Sequence, residues 1–154
     1  AQRAIYELVL ASQLAAIEAI TTAATWEKKK KSILMVLVQG LVDLKILKGD
    51  VATLIEEKAY LPFYMHNSGH WLGLDVHDVG HYKVQNGWRT LENGMVFTVE
   101  PGLYISESNQ QVDAKWRGIG VRIEDDILID NTPIVLTQGV PKTVTEIEKI
   151  MRKA

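Results

Sequence analysis

The amino-acid sequence predicts an α+β domain in which helices come first, a largely antiparallel sheet follows and a last helix lies near the carboxyl end. Three observations predict this order. Strong helix formers with periodic apolar residues occupy the chain up to Tyr60, glycines separate short apolar runs after it, and a helix-capping motif stands late in the chain. Helices and strands that are segregated along the chain are typical of α+β folds.

Three helices are predicted before Tyr60. The first covers residues 1–24, which are strong helix formers without a visible N-cap. Its apolar residues near helical spacing are Ile5, Leu8, Val9, Ile17 and Ile20. Residues 27–47 contain many β-branched side chains, but the segment is too long for one strand and Lys48-Gly49 indicates a helix stop, so we predict a buried helix. Asp50 offers an N-cap oxygen for a short helix over residues 51–57.

The strands follow Tyr60. Short apolar runs bounded by turn residues predict strands over residues 95–100, 103–105 and 119–129. Thr143 with Glu146 forms a capping box for a last helix that runs to about Met151. There is no internal repeat and no low-complexity tract, so we predict a single domain over residues 1–154.

Size and charge exclude several classes of protein. The 154 residues, 47% of them hydrophobic, suffice for one domain with a sizeable core. The formal net charge is −2 and the basic residues are scattered except for the run Lys28–Lys31, so no field over the whole domain attracts a nucleic acid. We expect the lysine run to be a solvated surface.

The sequence contains no cysteine, which excludes disulfides, thiolate nucleophiles and sulfur-rich zinc sites. Oxygen and imidazole remain as the strong metal ligands, and they suit hard or borderline divalent ions. The longest apolar run, Ile33–Val38, is far shorter than the roughly 20 residues of a membrane span, and no signal peptide is visible. We therefore expect a cytoplasmic protein that neither spans nor binds a membrane.

Three short segments place imidazoles and carboxylates along the strand-rich part. On a strand, residues two apart share a face, so Arg122 and Glu124 point to one side, and Glu100 shares its face with Thr98. Pro101 cannot donate to a sheet ladder, so the sheet should loosen beside Glu100. Each of these carboxylates is, by itself, equally compatible with an ordinary surface position.

The histidines add to this pattern. His66 and His70 are four residues apart, whereas His70 and His77 are seven apart and reach one cleft only if the chain bends, for which Gly73 is the candidate. A histidine in such a segment is often a hydrogen-bonded structural residue. If His70 joins Glu100 and Glu124, three metal ligands result, which is too few to define a two-metal centre.

These segments together carry a resemblance to a known family. Residues 66–78 (HNSGHWLGLDVHD), 100–104 (EPGLY) and 117–126 (RGIGVRIEDD) closely resemble the catalytic domain of the bacterial Xaa-Pro aminopeptidases, or aminopeptidases P, in the creatinase and methionine-aminopeptidase superfamily. The resemblance extends over essentially the whole chain and is weakest around residues 21–31. Residues 115–120 (KWRGIG) favour aminopeptidase P over prolidase, which shares the central motifs.

The resemblance implies a pita-bread fold with two metal ions, usually Mn²⁺ with Zn²⁺ or Co²⁺ as alternatives, that removes the N-terminal residue from peptides with proline in the second position. It implies His70 as a metal ligand, Glu100 as a ligand and general base, and Glu124 as a bridging ligand. His66 and His77 resemble the substrate-contacting and proton-handling histidines. Tyr104 and Arg122 resemble supporting polar groups. His81 receives no role.

The sequence departs from the family in its ligands. The family's two aspartate ligands belong upstream of Ala1. The candidate aspartates of this chain do not match them; the candidates are Asp43, Asp50, Asp75, Asp78 and Asp113. We therefore expect an incomplete pita-bread domain that corresponds to the carboxy-terminal part of the enzyme. We expect it to be weakly active or inactive, and to form a homo-oligomer through the edge and apolar face that absent strands leave open.

Two other functions stay open. A prolidase would cleave Xaa-Pro dipeptides only. A peptidase-like domain without catalysis would only bind peptides or proteins, although the joint presence of His70, Glu100 and Glu124 disfavours this for the complete enzyme.

Overall fold

The computed structural model describes residues 1–21 and 23–152, and it confirms the predicted order of helices and strands. Thr22, which the first predicted helix included, and the last two residues of the predicted domain lie outside the described residues. The helices are α1 (Gln2–Ala19), α2 (Trp26–Asp43), α3 (Val51–Glu56) and α4 (Val144–Met151). The strands are β1 (Lys83–Val84), β2 (Gly87–Trp88), β3 (Val96–Val99), β4 (Gly102–Tyr104), β5 (Gly120–Arg122), β6 (Asp125–Asp130) and β7 (Thr132–Val135), and one 3₁₀ turn spans Ala114–Trp116.

The first two helices form a packed pair that covers the sheet. α1 ends at Ala19, earlier than predicted, because Ile20 is already extended. α2 is the predicted buried helix, and it begins at Trp26 with the Thr25 side chain accepting from the Lys28 amide. Its apolar stripe at helical spacing contains Ile33, Leu34, Leu37, Val38 and Leu41, all buried. None of the helices in residues 1–21 and 23–152 is long and apolar enough to cross a membrane.

The caps of the two shorter helices are confirmed. Asp50 accepts a hydrogen bond from the Thr53 amide at the start of α3. At the start of α4, Thr143 and Glu146 form the reciprocal capping box. α4 is an outer layer without buried residues, and it is tied to α1 where the Tyr6 hydroxyl donates to the Lys142 carbonyl at 2.7 Å.

All strand pairs among the described residues are antiparallel, but the prediction of one strand over residues 119–129 is wrong. β5 ends at Arg122 and pairs with β4, whereas β6 begins at Asp125 and pairs with β3 in the sheet β3-β6-β7. The chain changes partner because β3 and β4 are themselves separated by Glu100 and Pro101. Residues 96–104 and 120–128 thus form a two-stranded antiparallel ribbon. Its pairing is interrupted at the same level on both strands. Sequence reasoning also missed β7 and the short β1–β2 hairpin.

The core lies between the α1–α2 pair and the sheet, and it includes an unexpected lysine. Lys29 is only 1% exposed, so the prediction of a solvated lysine run is wrong at this position. The reason is helical periodicity. Because α2 already begins at Trp26, residue 29 falls on the same stripe as Ile33 and Leu37.

Candidate metal centre

His70, Glu100 and Glu124 meet where the strand ribbon is interrupted. One ligand atom from each lies within 4.8 Å of the others. The His70 Nε2 atom is 3.5 Å from a Glu100 carboxylate oxygen and 4.0 Å from a Glu124 carboxylate oxygen. The structure therefore brings together the three residues that the sequence singled out as metal ligands.

The interruption of the ribbon explains how two strands present two glutamates at one place. Val99 pairs with Asp125 on one side of the gap, and Gly102 pairs with Arg122 on the other. Glu100 therefore lies opposite Glu124 in the gap, where neither residue belongs to a strand. The Ile123 amide donates to the Pro101 carbonyl at 3.2 Å, which holds the two sides together across the gap.

Thr98 connects the histidine to the first glutamate. Its hydroxyl accepts from the His70 amide at 3.0 Å and donates to Glu100 Oε1 at 3.1 Å. Its own amide donates to the His70 carbonyl at 2.9 Å. Sequence reasoning placed Thr98 on the same face as Glu100 without assigning this connection, because the His70 segment pairs with β3 only in the folded chain.

The arrangement of donors fits a divalent cation. His70 Nδ1 lies 3.0 Å from the Trp71 carbonyl, so the tautomer with hydrogen on Nδ1 donates there and leaves the Nε2 lone pair facing the two carboxylates. A neutral imidazole with carboxylate oxygens is a common donor set for borderline divalent ions. The cluster contains three donor residues, and none of the chain's aspartates belongs to it within the described part.

His77 reaches the same place because the chain bends between the two histidines, which the sequence left open. The rings of His70 and His77 are 4.4 Å apart between centroids. The Asp78 carboxylate closes the bend by accepting from the Leu74 and Val79 amides at 3.1 Å and 2.8 Å. A Cβ atom on Gly73 would lie 1.9 Å from an Asp78 carboxylate oxygen, so a side chain there would displace the carboxylate that closes the bend.

His66, Tyr104 and Arg122 lie on the other side of Glu100. The His66 and Tyr104 rings are 5.4 Å apart between centroids, and Arg122 Nε is 3.7 Å from Glu100 Oε2. With hydrogen on Nδ1, His66 donates to the Asn67 carbonyl at 2.6 Å, while its buried Nε2 has no hydrogen-bond partner within the described residues. All seven residues singled out from the sequence thus surround one site.

Burial shifts the pKa values of two groups in the site. Burial lowers the pKa of His66, and the Arg122 guanidinium acts in the same direction, so the imidazole is neutral at neutral pH. Burial raises the pKa of the Glu124 carboxyl, and the nearby Glu100 carboxylate raises it further. Carboxylates placed this closely repel each other in the absence of a cation.

His81 stays apart from this cluster. It lines a cavity of about 400 Å³ with residues that include Lys30, Tyr82 and Trp88. The cavity walls carry cationic and aromatic side chains but no carboxylate. The structure thus gives no reason to add His81 to the metal centre.

Comparisons with known proteins agree with the chemistry of the site. A sequence profile described as metallopeptidase family M24 matches residues 1–131. The chain is 54% identical over 151 residues to an Xaa-Pro aminopeptidase of Haemophilus influenzae, covering 97% of this chain and 35% of the relative. It is 49% identical over 152 residues to an Xaa-Pro aminopeptidase of Escherichia coli, covering 98% of this chain and 34% of the relative.

The fold gives the same result. The structure of Pseudomonas aeruginosa aminopeptidase PepP superposes with a TM-score of 0.96 at 54% sequence identity, covering 98% of this chain and 34% of that one. The predicted partial pita-bread architecture is therefore confirmed. The chain spans about a third of the length of the relatives that it matches.

Proposed function

The chain belongs to metallopeptidase family M24, and on this premise we propose that it carries part of the active site of an aminopeptidase that removes the N-terminal residue from peptides with proline in the second position. The observation that carries the proposal is the meeting of His70, Glu100 and Glu124 in the interrupted ribbon. The names of the similar proteins supply the proposed substrate class.

The proposed metal is Mn²⁺, with Zn²⁺ and Co²⁺ as alternatives. The His70 imidazole and the Glu100 and Glu124 carboxylates would hold it. The chemistry that such an ion supplies when bound is the activation of water near neutral pH. A bound cation would also offset the repulsion between the two carboxylates, which adds to burial in raising the pKa of Glu124.

The remaining residues act around this cluster. We assign to Glu100 the acceptance of a proton from water, and the contacts of its two carboxylate oxygens with Thr98 and Arg122 support this role. His77, next to His70, is placed to hand a proton to a leaving amine. The unpartnered Nε2 atom of neutral His66 can accept a hydrogen bond from a substrate, with Tyr104 and Arg122 shaping the same wall.

We further propose that residues 1–154 alone bind metal weakly and turn over little or no substrate. Three donor residues are too few to fix two ions, which need further ligands from elsewhere in the complete protein. We also propose that the chain self-associates, since apolar side chains lie exposed around the sheet edge at β7.

An assay with two substrates and two protein lengths tests the proposal. Xaa-Pro dipeptides and longer Xaa-Pro peptides are offered, with added Mn²⁺, to this chain and to the complete protein that carries it. We expect the complete protein to hydrolyse the longer peptides and the 154-residue chain to be at least roughly a hundredfold slower. Cleavage of dipeptides alone would indicate a dipeptidase.

Matched substitutions link the activity to the site. In the complete protein, Glu100→Gln keeps the shape of the side chain and removes the carboxylate, so we expect loss of both metal content and activity. Glu107→Gln changes an exposed loop residue and serves as the control. Equal metal content and activity in the Glu100→Gln variant and the control would contradict the proposed site.

A further inference from the structure

Lys29 is a buried amine without a direct ion pair in the described part of the chain, although the Glu100 carboxylate is near enough to act on its pKa in the opposite direction to burial. Its side chain is on α2, it is 1% exposed, and within the described residues no carboxylate lies within ion-pair distance of Nζ. Burial lowers its pKa to about 7 from an ordinary value of 10.5. The position is also unfavourable for a cation locally, because it lies near the amino-terminal end of a helix.

The contacts of the amine explain its place. Nζ lies 3.3 Å from the Thr98 carbonyl and 3.4 Å from the Ser68 carbonyl, so one group donates to two segments. Nζ also lies 3.8 Å from the centroid of the Trp26 ring, which belongs to the same helix and covers the amine. The amine and the ammonium both carry enough N–H groups for the two carbonyls, so the contact does not depend on the charge.

The two segments that Lys29 joins are those that carry the candidate ligands. Ser68 is two residues from His70, and Thr98 is two residues from Glu100. The Ser68 carbonyl also accepts from the Glu100 amide at 3.0 Å. A Cβ atom at Gly69 would lie 2.0 Å from the Thr98 carbonyl oxygen and 2.6 Å from Nζ, so loop, strand and amine meet with no space for another side chain.

We propose that Lys29 is a positioning residue of the metal centre, which holds the His70 loop against the end of β3 and so sets the separation of the His70 and Glu100 ligand atoms. The inference rests on the proposed function, because it needs a metal ion at this site. It adds a residue from α2, which contributes none of the three candidate ligands, and it gives a reason for a lysine at a position where an apolar residue would pack without losing hydration.

The test measures Mn²⁺ binding and stability separately in the complete protein. Lys29→Met and Lys29→Leu both remove the donors and keep an apolar side chain, and Lys31→Met removes an exposed lysine of the same helix as the control. Isothermal titration calorimetry gives the Mn²⁺ dissociation constant, and urea unfolding of the metal-free protein gives stability. Lys29→Gln keeps two N–H donors without a charge.

We expect Lys29→Met to weaken Mn²⁺ binding by roughly tenfold or more, the usual effect of losing a group that orients a ligand, without loss of stability. Amide exchange at Thr98 and Glu100 should become faster, and Lys29→Gln should bind more tightly than Lys29→Met. The Leu variant provides the same comparison should Met not fold. A purely structural lysine would change stability and leave the binding constant in place.

Two results would contradict the proposals, and they can be told apart. If wild type binds Mn²⁺ while the folded apolar variants bind within threefold of it, the positioning role is wrong and the metal site stands. If wild-type complete protein shows no Mn²⁺ binding, the proposed function fails and the role of Lys29 fails with it.

Discussion

Lys29 shows how one side chain can connect the helical layer to the chemistry. Its backbone position follows from the start of α2, and its amine donates to the carbonyls of Ser68 and Thr98. A charge in such a place opposes folding, since the unfolded chain hydrates the ammonium fully. The stability of the protein should therefore depend on pH in a range where most proteins show little change.

The pH dependence has a definite sign. The pKa of Lys29 is about 7 in the folded chain and 10.5 in its ordinary, solvated state, so between these values the unfolded state binds more protons and stability rises with pH. From pH 7 to pH 9 we expect wild type to gain about 2 kcal/mol relative to Lys29→Met. Urea unfolding at both pH values measures this difference, and identical pH dependence in the two proteins would contradict it.

At the residue scale, the sequence predicted which possible ligands lie together but not the residues that hold them in place. The residue types of His70, Glu100 and Glu124 limit what they can do, and the motifs around them are distinctive. Thr98 and Lys29 could not be assigned, because their function arises from contacts with segments 28 and 39 residues away. A run of four lysines also carries no sign that one of them points inward.

The paired break in the ribbon is the main feature at the scale of elements. Pro101 predicted loosening on one side, and the structure shows a matching break between β5 and β6 on the other. Residues 119–129 keep an apolar alternation that only Asp125 interrupts, and this concealed the break, since a strand that changes partners keeps its two-residue period. The two short helices α3 and α4 were predicted more accurately, because their caps depend on neighbours in the sequence.

Asp125 anchors the start of β6 directly after Glu124. Its buried carboxylate accepts from Gln13 Nε2 at 2.9 Å, from Lys142 Nζ at 2.8 Å and from the Thr137 hydroxyl, so it joins α1 to the segment before α4. Asp125→Ala leaves these donors without their acceptor, and we expect a loss of about 3 kcal/mol in the free energy of unfolding.

The neighbouring residue provides the control for this prediction. Asp126 is half-buried on the same strand. Its amide donates to the Thr137 hydroxyl at 3.1 Å, a backbone contact that alanine retains, but its carboxylate is not part of the network among the described residues. Asp126→Ala should therefore cost less than about 1 kcal/mol. Urea unfolding of both variants measures the two losses in the free energy of unfolding. Equal losses would show that strand propensity, rather than the anchoring network, determines the destabilisation.

At the scale of the molecule, the surface around β7 is apolar and carries a sheet edge. β7 is the outer strand of its sheet within residues 1–21 and 23–152, and Ile134, Leu136 and Leu14 are exposed near it or on the facing helix. Exposed edges beside apolar side chains favour association between copies.

We expect the sedimentation coefficient of the 154-residue chain to rise with concentration. Ile134→Lys places a charge on the edge strand and should lower the association constant at least fivefold. Val84→Lys, on the exposed β1–β2 hairpin, is the matched control and should leave association unchanged. A monomer at all concentrations would contradict the proposal.

The paired break also determines where the length of the chain can vary during evolution. Two residues, Ile123 and Glu124, cross the gap between β5 and β6, and a single inserted or deleted residue there would turn Glu124 towards the core and Ile123 towards solvent. The exposed tip at Gln85 and Asn86 has no such constraint. Lineages descended from this sequence should accumulate insertions and deletions at the hairpin and retain constant spacing from Gly120 to Asp125.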